Sequence, residues 1–177
     1  MTFNFKLFRA LTSFNLFISG FFLMMLLVTL LSGAGPALIF FIFIGSIFMH
    51  SISCIQLQKS LIDKAIPFKR GGRLLGFGVA AIFYAGLLIL SYIIFQVYHE
   101  RVVDEVAKQI ELLPKDQQKE ITPEMLRNMM NGIMVFLVIF AVTILANVHL
   151  SFSFLKEWKN RKYTNIDLDI NDINVEH

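Results

Sequence analysis

Charged side chains are missing from three long stretches of this chain, and apolar residues fill each of them. These uncharged stretches contain 49, 26 and 28 residues and lie at 10–58, 74–99 and 128–155. A helix needs about 20 apolar residues to cross a bilayer. The first stretch is therefore long enough for two crossings and each of the others for one, so the pattern predicts four membrane-spanning helices.

The first stretch is divided by a turn sequence at 32–36, Ser-Gly-Ala-Gly-Pro. Glycine adopts turn conformations, and proline suits the first turn of the following helix. Backbone polar groups have no water to bond inside a bilayer, so each crossing is expected to be a helix. The predicted spans are about 11–31, 37–57, 74–96 and 132–155, within one transmembrane domain of residues 1–162. The expected fold is an all-α bundle of four transmembrane helices.

The composition agrees with a polytopic membrane protein rather than a soluble enzyme. Hydrophobic residues make up 56% of the 177 and charged residues 16%, whereas a soluble domain is about 25% charged. The net charge of +3 comes from basic residues beside the spans, so it does not indicate nucleic-acid binding. The single cysteine, Cys54, excludes an intramolecular disulfide and is expected to pack as a small hydrophobe. The first apolar run is too long for a cleaved signal peptide, so we expect an uncleaved first span.

Basic residues are concentrated at one end of the predicted spans. Eleven of the 16 Lys and Arg lie before the first span, after the second and after the fourth, and the loop after the first span has none. The long loop after the third span carries five basic and seven acidic residues. The positive-inside rule therefore predicts a protein of the cytoplasmic membrane with both termini in the cytoplasm. Trp158 and Tyr98 fall where interfacial aromatic residues are expected.

The long loop is predicted to be a helical extracytoplasmic hairpin between the third and fourth spans. One helical face after the third span is apolar: Val103, Val106, Ile110 and Leu113. Pro114 ends this pattern, and Thr122-Pro123-Glu124 has the order of an N-cap, a first-turn proline and an early acid. The apolar face either packs within the hairpin or docks an extracytoplasmic partner.

The last 15 residues, 163–177, are acidic and rich in asparagine. Such a segment buries little surface, so we predict a mobile cytoplasmic tail. The alternate spacing of Ile166, Leu168 and Ile170 leaves open a short strand that pairs with a partner.

Four features together resemble a known group of proteins: the four spans, the connector at 57–76, the outer loop and the acidic ending. The connector contains Pro67-Phe68, a step that members share after their second span. The chain resembles a family of small four-span bacterial membrane proteins of unknown function, often encoded beside a helix-turn-helix regulator. Members end near an acidic Asn-Asp-Leu-Thr-Val sequence, whereas this chain has Asp169 in place of the threonine and continues further. The resemblance implies no activity and no catalytic residue.

No acid, lysine or arginine lies deep in a predicted span, which argues against a proton-coupled transporter or a charged channel ring. Two histidines do lie there, His50 in the second span and His149 in the fourth. They precede Lys59 and Lys156 by nine and seven residues, which places both roughly 10–14 Å from the basic edge. The similar sequences after them leave open a duplicated two-span hairpin.

Two interpretations of these histidines are open. In the first, each imidazole forms hydrogen bonds between helices with neighbouring polar residues, namely Ser51, Ser53, Asn147, Ser151 and Ser153. In the second, His50 and His149 hold a haem b iron from opposite faces or bind another metal. The first requires no cofactor, and an absorbance scan of the purified protein distinguishes the two.

Small residues on the third span form two small-xxx-small pairs, Gly76 with Ala80 and Ala81 with Ala85. Such pairs let helices approach closely, within the bundle or in a homodimer. Four methionines precede the fourth span or lie at its start: Met125, Met129, Met130 and Met134. We interpret them as adaptable packing, although thioethers also suit Cu(I).

The sequence contains no nucleophile–base pair or metal cluster of recognised spacing, so an enzyme is not expected. The predicted role is a non-enzymatic interaction or regulatory subunit of the membrane. Its expected partners are the lipid bilayer and a membrane protein or second copy, and no nucleic acid. The alternatives are a bis-histidine haem b electron-transfer protein and a small channel or transporter subunit.

Overall fold

The structure is a computed structural model that describes residues 2–33, 35, 37–63, 66, 68–69, 71–111 and 122–173. Over these residues the chain forms five helices and no strand. The helices are α1 (Phe3–Leu31), α2 (Ala37–Ile62), α3 (Gly71–Val97), α4 (His99–Glu111) and α5 (Pro123–Ile173). The expected all-α fold class is confirmed at this level.

Four of the helices are long and apolar enough to cross a membrane: α1, α2, α3 and the part of α5 at Glu124–Arg161. The protein is therefore a multi-pass membrane protein, as the spacing of uncharged stretches predicted. The helices extend beyond the predicted spans, since α1 begins at Phe3 and α2 ends at Ile62. Hydrophobicity marks the part of a helix that crosses lipid, whereas lysine, arginine and glutamate at the interface are good helix formers.

The turn after α1 requires a glycine. Gly33 has a φ of +89°, and its backbone N–H donates to the Leu30 carbonyl at 3.0 Å. Ser32 caps the helix end by donating its N–H to the Val28 carbonyl at 3.2 Å. A left-handed glycine after the last turn is a common helix terminator. The predicted turn is therefore present at Gly33, while Ala34 and Pro36 lie outside the described residues.

By contacts, the chain divides into two compact units: unit 1 is Met1–Ile82 with Thr143–His177, and unit 2 is Phe83–Val142. In unit 1, α1, α2, α3, α5 and the segment before α3 all contribute to one apolar cluster. Its buried members are Phe8, Cys54, Leu57, Phe68, Leu74 and Leu155. Phe68 packs edge-on against Trp158 with ring centroids 5.6 Å apart, so the phenylalanine of the predicted Pro-Phe step fixes the connector to this cluster.

Unit 2 contains the later part of α3, all of α4 and the beginning of α5. Thr122 is the N-cap of α5, because its Oγ1 accepts a hydrogen bond from the Met125 N–H at 3.2 Å. Arg127 Nη2 lies 2.6 Å from Glu100 Oε2, and this ion pair joins α5 to α4. Val103 is buried as its position on the apolar face predicted. The predicted turn at Pro114 and the apolar residue Leu113 lie outside the described residues.

The acidic segment at 163–177 is not separated from the fourth span by a break in the helix. α5 continues through it to Ile173, and residues 174–177 lie outside the described part. The mobility predicted for this segment stays a prediction.

Candidate functional site

Unit 1 buries a group of polar side chains that includes no aspartate, glutamate, lysine or arginine. They are Thr12, Asn15, Ser19, His50, Ser51, Ser53, Gln58, Ser60, Asn147 and Ser151. Five of them were singled out from the sequence: His50, Ser51, Ser53, Asn147 and Ser151. Thr12, Asn15 and Gln58 were missed, because a single polar residue in an apolar sequence does not reveal which helix it faces.

The His50 imidazole is enclosed by three helices and is only 1% exposed. Its Nδ1 lies 3.2 Å from the Leu74 carbonyl oxygen of α3. A carbonyl only accepts, so Nδ1 carries the proton and Nε2 is left as an acceptor. Ser151 Oγ of α5 and Cys54 Sγ of α2 each lie 3.4 Å from Nε2. The Ser151 hydroxyl also lies 2.8 Å from the Val148 carbonyl, so its one proton goes either to that carbonyl or to Nε2. A neutral histidine therefore bonds α2 to α3 and contacts α5.

Gly78 lets α3 approach the His50 ring closely. A Cβ at Gly78 would lie 2.8 Å from Phe152 Cε1 and 3.2 Å from His50 Cε1. Any larger residue would push against the ring of Phe152 and against a histidine that hydrogen bonds hold in place. Gly78 was not among the predicted packing residues, although it lies two residues after Gly76 in the same span.

A second set of hydrogen bonds centres on Thr12 of α1. Its Oγ1 lies 2.7 Å from the Phe8 carbonyl, 2.9 Å from Asn147 Oδ1 and 2.9 Å from Gln58 Nε2. A hydroxyl has one proton, so Thr12 donates to either Phe8 or Asn147 while it accepts from Gln58. Through Gln58 and Asn147, this one hydroxyl connects α1 to α2 and to α5.

Asn147 Nδ2 is buried and has no hydrogen-bond partner among the described residues. The nitrogen and oxygen of an amide are assigned from the bonds they make. If they are exchanged, Nδ2 donates to Thr12 Oγ1 and the Thr12 hydroxyl donates to the Phe8 carbonyl. This orientation leaves no buried donor of the group unpaired, so it is the one we favour.

Asn15 and Thr143 form a reciprocal pair that joins α1 to α5. Thr143 Oγ1 donates to Asn15 Oδ1 at 2.9 Å, and Asn15 Nδ2 donates to the Thr143 carbonyl at 3.2 Å. Ser19 Oγ then donates to the Asn15 carbonyl at 2.6 Å. These bonds extend the polar contact between the two helices beyond Thr12.

The two histidines of the predicted pair lie in different environments. His149 is exposed on the surface of α5, and its ring makes no hydrogen bond among the described residues. Ser153, one turn later, is also exposed and donates its hydroxyl to the His149 carbonyl at 3.1 Å. Both ring nitrogens of His50 already face protein groups. No contact between the rings supports a shared haem iron, so the haem b alternative stays an untested prediction.

Other candidates from the sequence do not join this group. Ala81 and Ala85 are buried and Ala80 is half-buried, whereas a Cβ at Gly76 would meet no atom within 4 Å. In unit 2, Met125 and Met129 are exposed, and Met130 and Met134 are half-buried. Within the described residues, no three His, Cys, Asp or Glu side chains form a cluster that could hold a metal.

Comparisons of the chain with known protein families, with characterised proteins and with solved structures found no match. The resemblance to a four-span bacterial family accordingly stays a prediction. The site itself is neutral and enclosed: Cys54, its one thiol, is fully buried. Such an arrangement suits the fixing of helix positions better than chemistry on a substrate.

We expect Gly78→Ala to lower the free energy of unfolding by about 1–3 kcal/mol, since the added methyl group overpacks the Phe152 and His50 rings. Gly76→Ala is the matched control on the same helix. It should be neutral or slightly stabilising, because alanine is the better helix former and the space around Gly76 is open. Thermal unfolding of both variants in detergent measures the difference, and equal effects would contradict the packing assigned to Gly78.

Thr12→Val keeps the shape of the side chain and removes the hydroxyl on which Gln58 and Asn147 depend. The expected cost is about 1–2 kcal/mol, because buried amide groups lose their partner. Thr29→Val is the control on the same helix, since the Thr29 hydroxyl bonds only the Met25 carbonyl at 3.0 Å on an exposed face. It should change stability by less than about 0.5 kcal/mol. A similar loss in both variants would show that the network adds nothing beyond a local bond.

Proposed function

We propose that the protein is a non-enzymatic subunit of a membrane complex and that the α5 surface at His149 and Ser153 contacts a spanning helix of its partner. The observation that carries this proposal is the exposed imidazole of His149 within a span whose stretch at 128–155 has no charged residue. Polar side chains inside a membrane usually face protein or a water-filled space, because lipid tails offer no hydrogen bond. A partner helix would supply that bond.

The contrast with the interior supports this assignment. His50 obtains its hydrogen bonds from α2, α3 and α5 of its own chain. His149 lies on the same helix as Ser151 but on its exposed side, where this chain offers no partner among the described residues. Ser153 lies one turn away on the same exposed face, so the surface presents two polar side chains at helical spacing.

The buried polar side chains of unit 1 do not support a role in catalysis or transport. Its polar groups bond to one another, and its histidine and cysteine are 1% and 0% exposed. A channel or transporter subunit and a bis-histidine haem protein remain the rival predictions, and no contact in the described part of the chain favours either. For the same reason we propose that the protein is not an enzyme and that it needs no cofactor.

The complex is proposed to lie in the cytoplasmic membrane with both termini in the cytoplasm. Lysine and arginine at the beginning of α1, the end of α2 and the later part of α5 support this orientation. The four spans are proposed to form one bundle, which the shared apolar cluster of unit 1 supports. An extracytoplasmic hairpin of α4 and the beginning of α5 is supported by the Glu100–Arg127 ion pair.

A photo-reactive amino acid placed at residue 149 should yield a cross-linked protein adduct of defined mass in intact membranes. The same group at Val79, an exposed apolar position of α3, is the control and should react mainly with lipid. Mass spectrometry of the adduct identifies either a second copy or a different membrane protein, and both support a subunit role. Reaction with lipid alone at residue 149 would overturn the proposal.

His149→Leu should reduce the partner recovered with the tagged protein by at least about fivefold, as expected from loss of one hydrogen bond of about 1 kcal/mol. The thermal stability of the isolated chain should not change, because His149 makes no side-chain bond within it. Val79→Leu is the control for a change of exposed surface. Unchanged recovery of the partner in His149→Leu would remove this residue from the interface.

Labelling of introduced cysteines tests the orientation, and the buried native Cys54 should not interfere because it is 0% exposed. Ser32→Cys and Arg101→Cys should react with a membrane-impermeant maleimide in intact cells. Lys69→Cys should react only after the membrane is permeabilised. The reverse pattern would invert the proposed topology.

A further inference from the structure

A half-open cavity of about 410 Å³ lies in unit 1, between the beginning of α1, the end of α2 and the later part of α5. Its size falls within the range of about 300–1,000 Å³ that is common for small-molecule sites. Among the described residues it is lined by four apolar side chains, one threonine and one charged pair: Phe5, Leu61, Ile62, Phe154, Thr2, Glu157 and Arg161. The cavity is separate from the buried polar network and from the surface at His149.

Aromatic packing holds the apolar wall of this cavity in place. The Phe5 and Phe154 rings meet edge to face with centroids 5.5 Å apart. Phe154 also stacks on Phe8 at 5.2 Å, and Phe8 is fully buried in the apolar cluster of unit 1. Because its rings are supported from behind, the wall is present before any ligand binds.

The polar wall carries two opposite charges one helical turn apart. Arg161 Nη2 contacts Glu157 Oε1, and both side chains are about half-exposed, at 51% and 45%. A carboxylate accepts several hydrogen bonds and a guanidinium donates up to five, so one contact between them leaves both able to bind a ligand. The cavity thus offers an acceptor and a donor of opposite charge beside an apolar wall.

The position of the cavity along the spans corresponds to lipid headgroups. Lys59 lies on α2 just before the lining residues Leu61 and Ile62, and Trp158 follows Glu157 on α5. Lysine and tryptophan at span ends mark the membrane interface. A lipid is therefore the molecule most abundant at this depth, and its headgroup and chain match the polar and apolar walls.

We propose that this cavity binds one phospholipid with an aminoethyl-phosphate headgroup, phosphatidylethanolamine. Its ammonium group contacts the Glu157 carboxylate, its phosphate contacts the Arg161 guanidinium, and part of an acyl chain lies on the Phe5 and Phe154 rings. The two charges of the wall cancel, which favours a zwitterionic headgroup over an anionic one. Phosphatidylcholine carries the same charges, but its methylated nitrogen has no N–H to donate to Glu157. This inference does not depend on the proposed subunit role.

Native mass spectrometry of the purified full-length chain tests the selectivity. Phosphatidylethanolamine, phosphatidylcholine and phosphatidylglycerol with identical acyl chains are added in equal amounts. Phosphatidylethanolamine should give the first bound lipid with about tenfold preference, as expected for one charge-assisted hydrogen bond. Equal binding of the three lipids, or preference for phosphatidylglycerol, would overturn the proposal.

Variants locate the binding in the cavity. Glu157→Gln should reduce the preference for phosphatidylethanolamine over phosphatidylcholine toward unity, and Arg161→Gln should weaken both lipids alike. Ile62→Trp fills the cavity without changing its charge and should abolish the first bound lipid. The matched controls are Glu100→Gln and Arg127→Gln, which remove the exposed ion pair of unit 2 and should change nothing.

Thermal unfolding of each variant verifies that it is folded. This is expected for the charge variants because exposed ion pairs contribute little to stability, and for Ile62→Trp because Ile62 is 57% exposed. A preference for phosphatidylethanolamine that survives both Glu157→Gln and Ile62→Trp would place the lipid elsewhere and overturn the assignment to this cavity.

Discussion

Lipid tails cannot hydrogen-bond, and this constraint explains how the spans of unit 1 are held together. Apolar side chains gain little by moving from lipid to a helix interface, so packing and interhelical hydrogen bonds must specify the contacts. The Thr12 hydroxyl bonds groups of α2 and α5, and the His50 imidazole bonds groups of α3 and α5. Each of these polar groups has its partners only when three helices occupy their observed positions, so the bonds favour one arrangement over slipped ones.

Gly78 shows that close packing and hydrogen bonding depend on each other. Nδ1 of His50 reaches the Leu74 carbonyl at 3.2 Å only because α3 comes near enough to α2. That approach is possible since no Cβ stands between the backbone of Gly78 and the His50 and Phe152 rings. A methyl group there would disturb the packing and lengthen the hydrogen bond at once. The glycine belongs to the site although it contributes no chemical group to it.

The sequence predicted the elements of the fold well and the site only in part. Uncharged stretches of 49, 26 and 28 residues predicted four crossings of a bilayer, and the described residues contain four helices long and apolar enough for this. His50, Asn147 and Ser151 are buried, whereas His149, which the same interpretation included, is exposed. Thr12 and Gln58 were missed because they lie near the charged ends of their spans, where polar residues are ordinary. Which side of a helix faces protein depends on contacts between segments distant in the chain, and apolar residues on all faces of a span leave no periodicity to reveal it.

The two histidines show that the side of the helix on which a residue lies decides its role. Both stand at similar distances from a basic edge, and both are followed by serines at short spacing. The two differ in which side of their helix they occupy. In an α-helix, the direction in which a side chain points changes by about 100° per residue. Ser151 therefore points into unit 1 while His149, two residues earlier, points away from it. An inward imidazole stabilises the chain, whereas an outward one offers the chain nothing and costs free energy in lipid. The proposed contact outside the chain would supply the partner that the exposed histidine lacks among the described residues, so the subunit proposal rests on His149 rather than on the hydrogen-bonded His50.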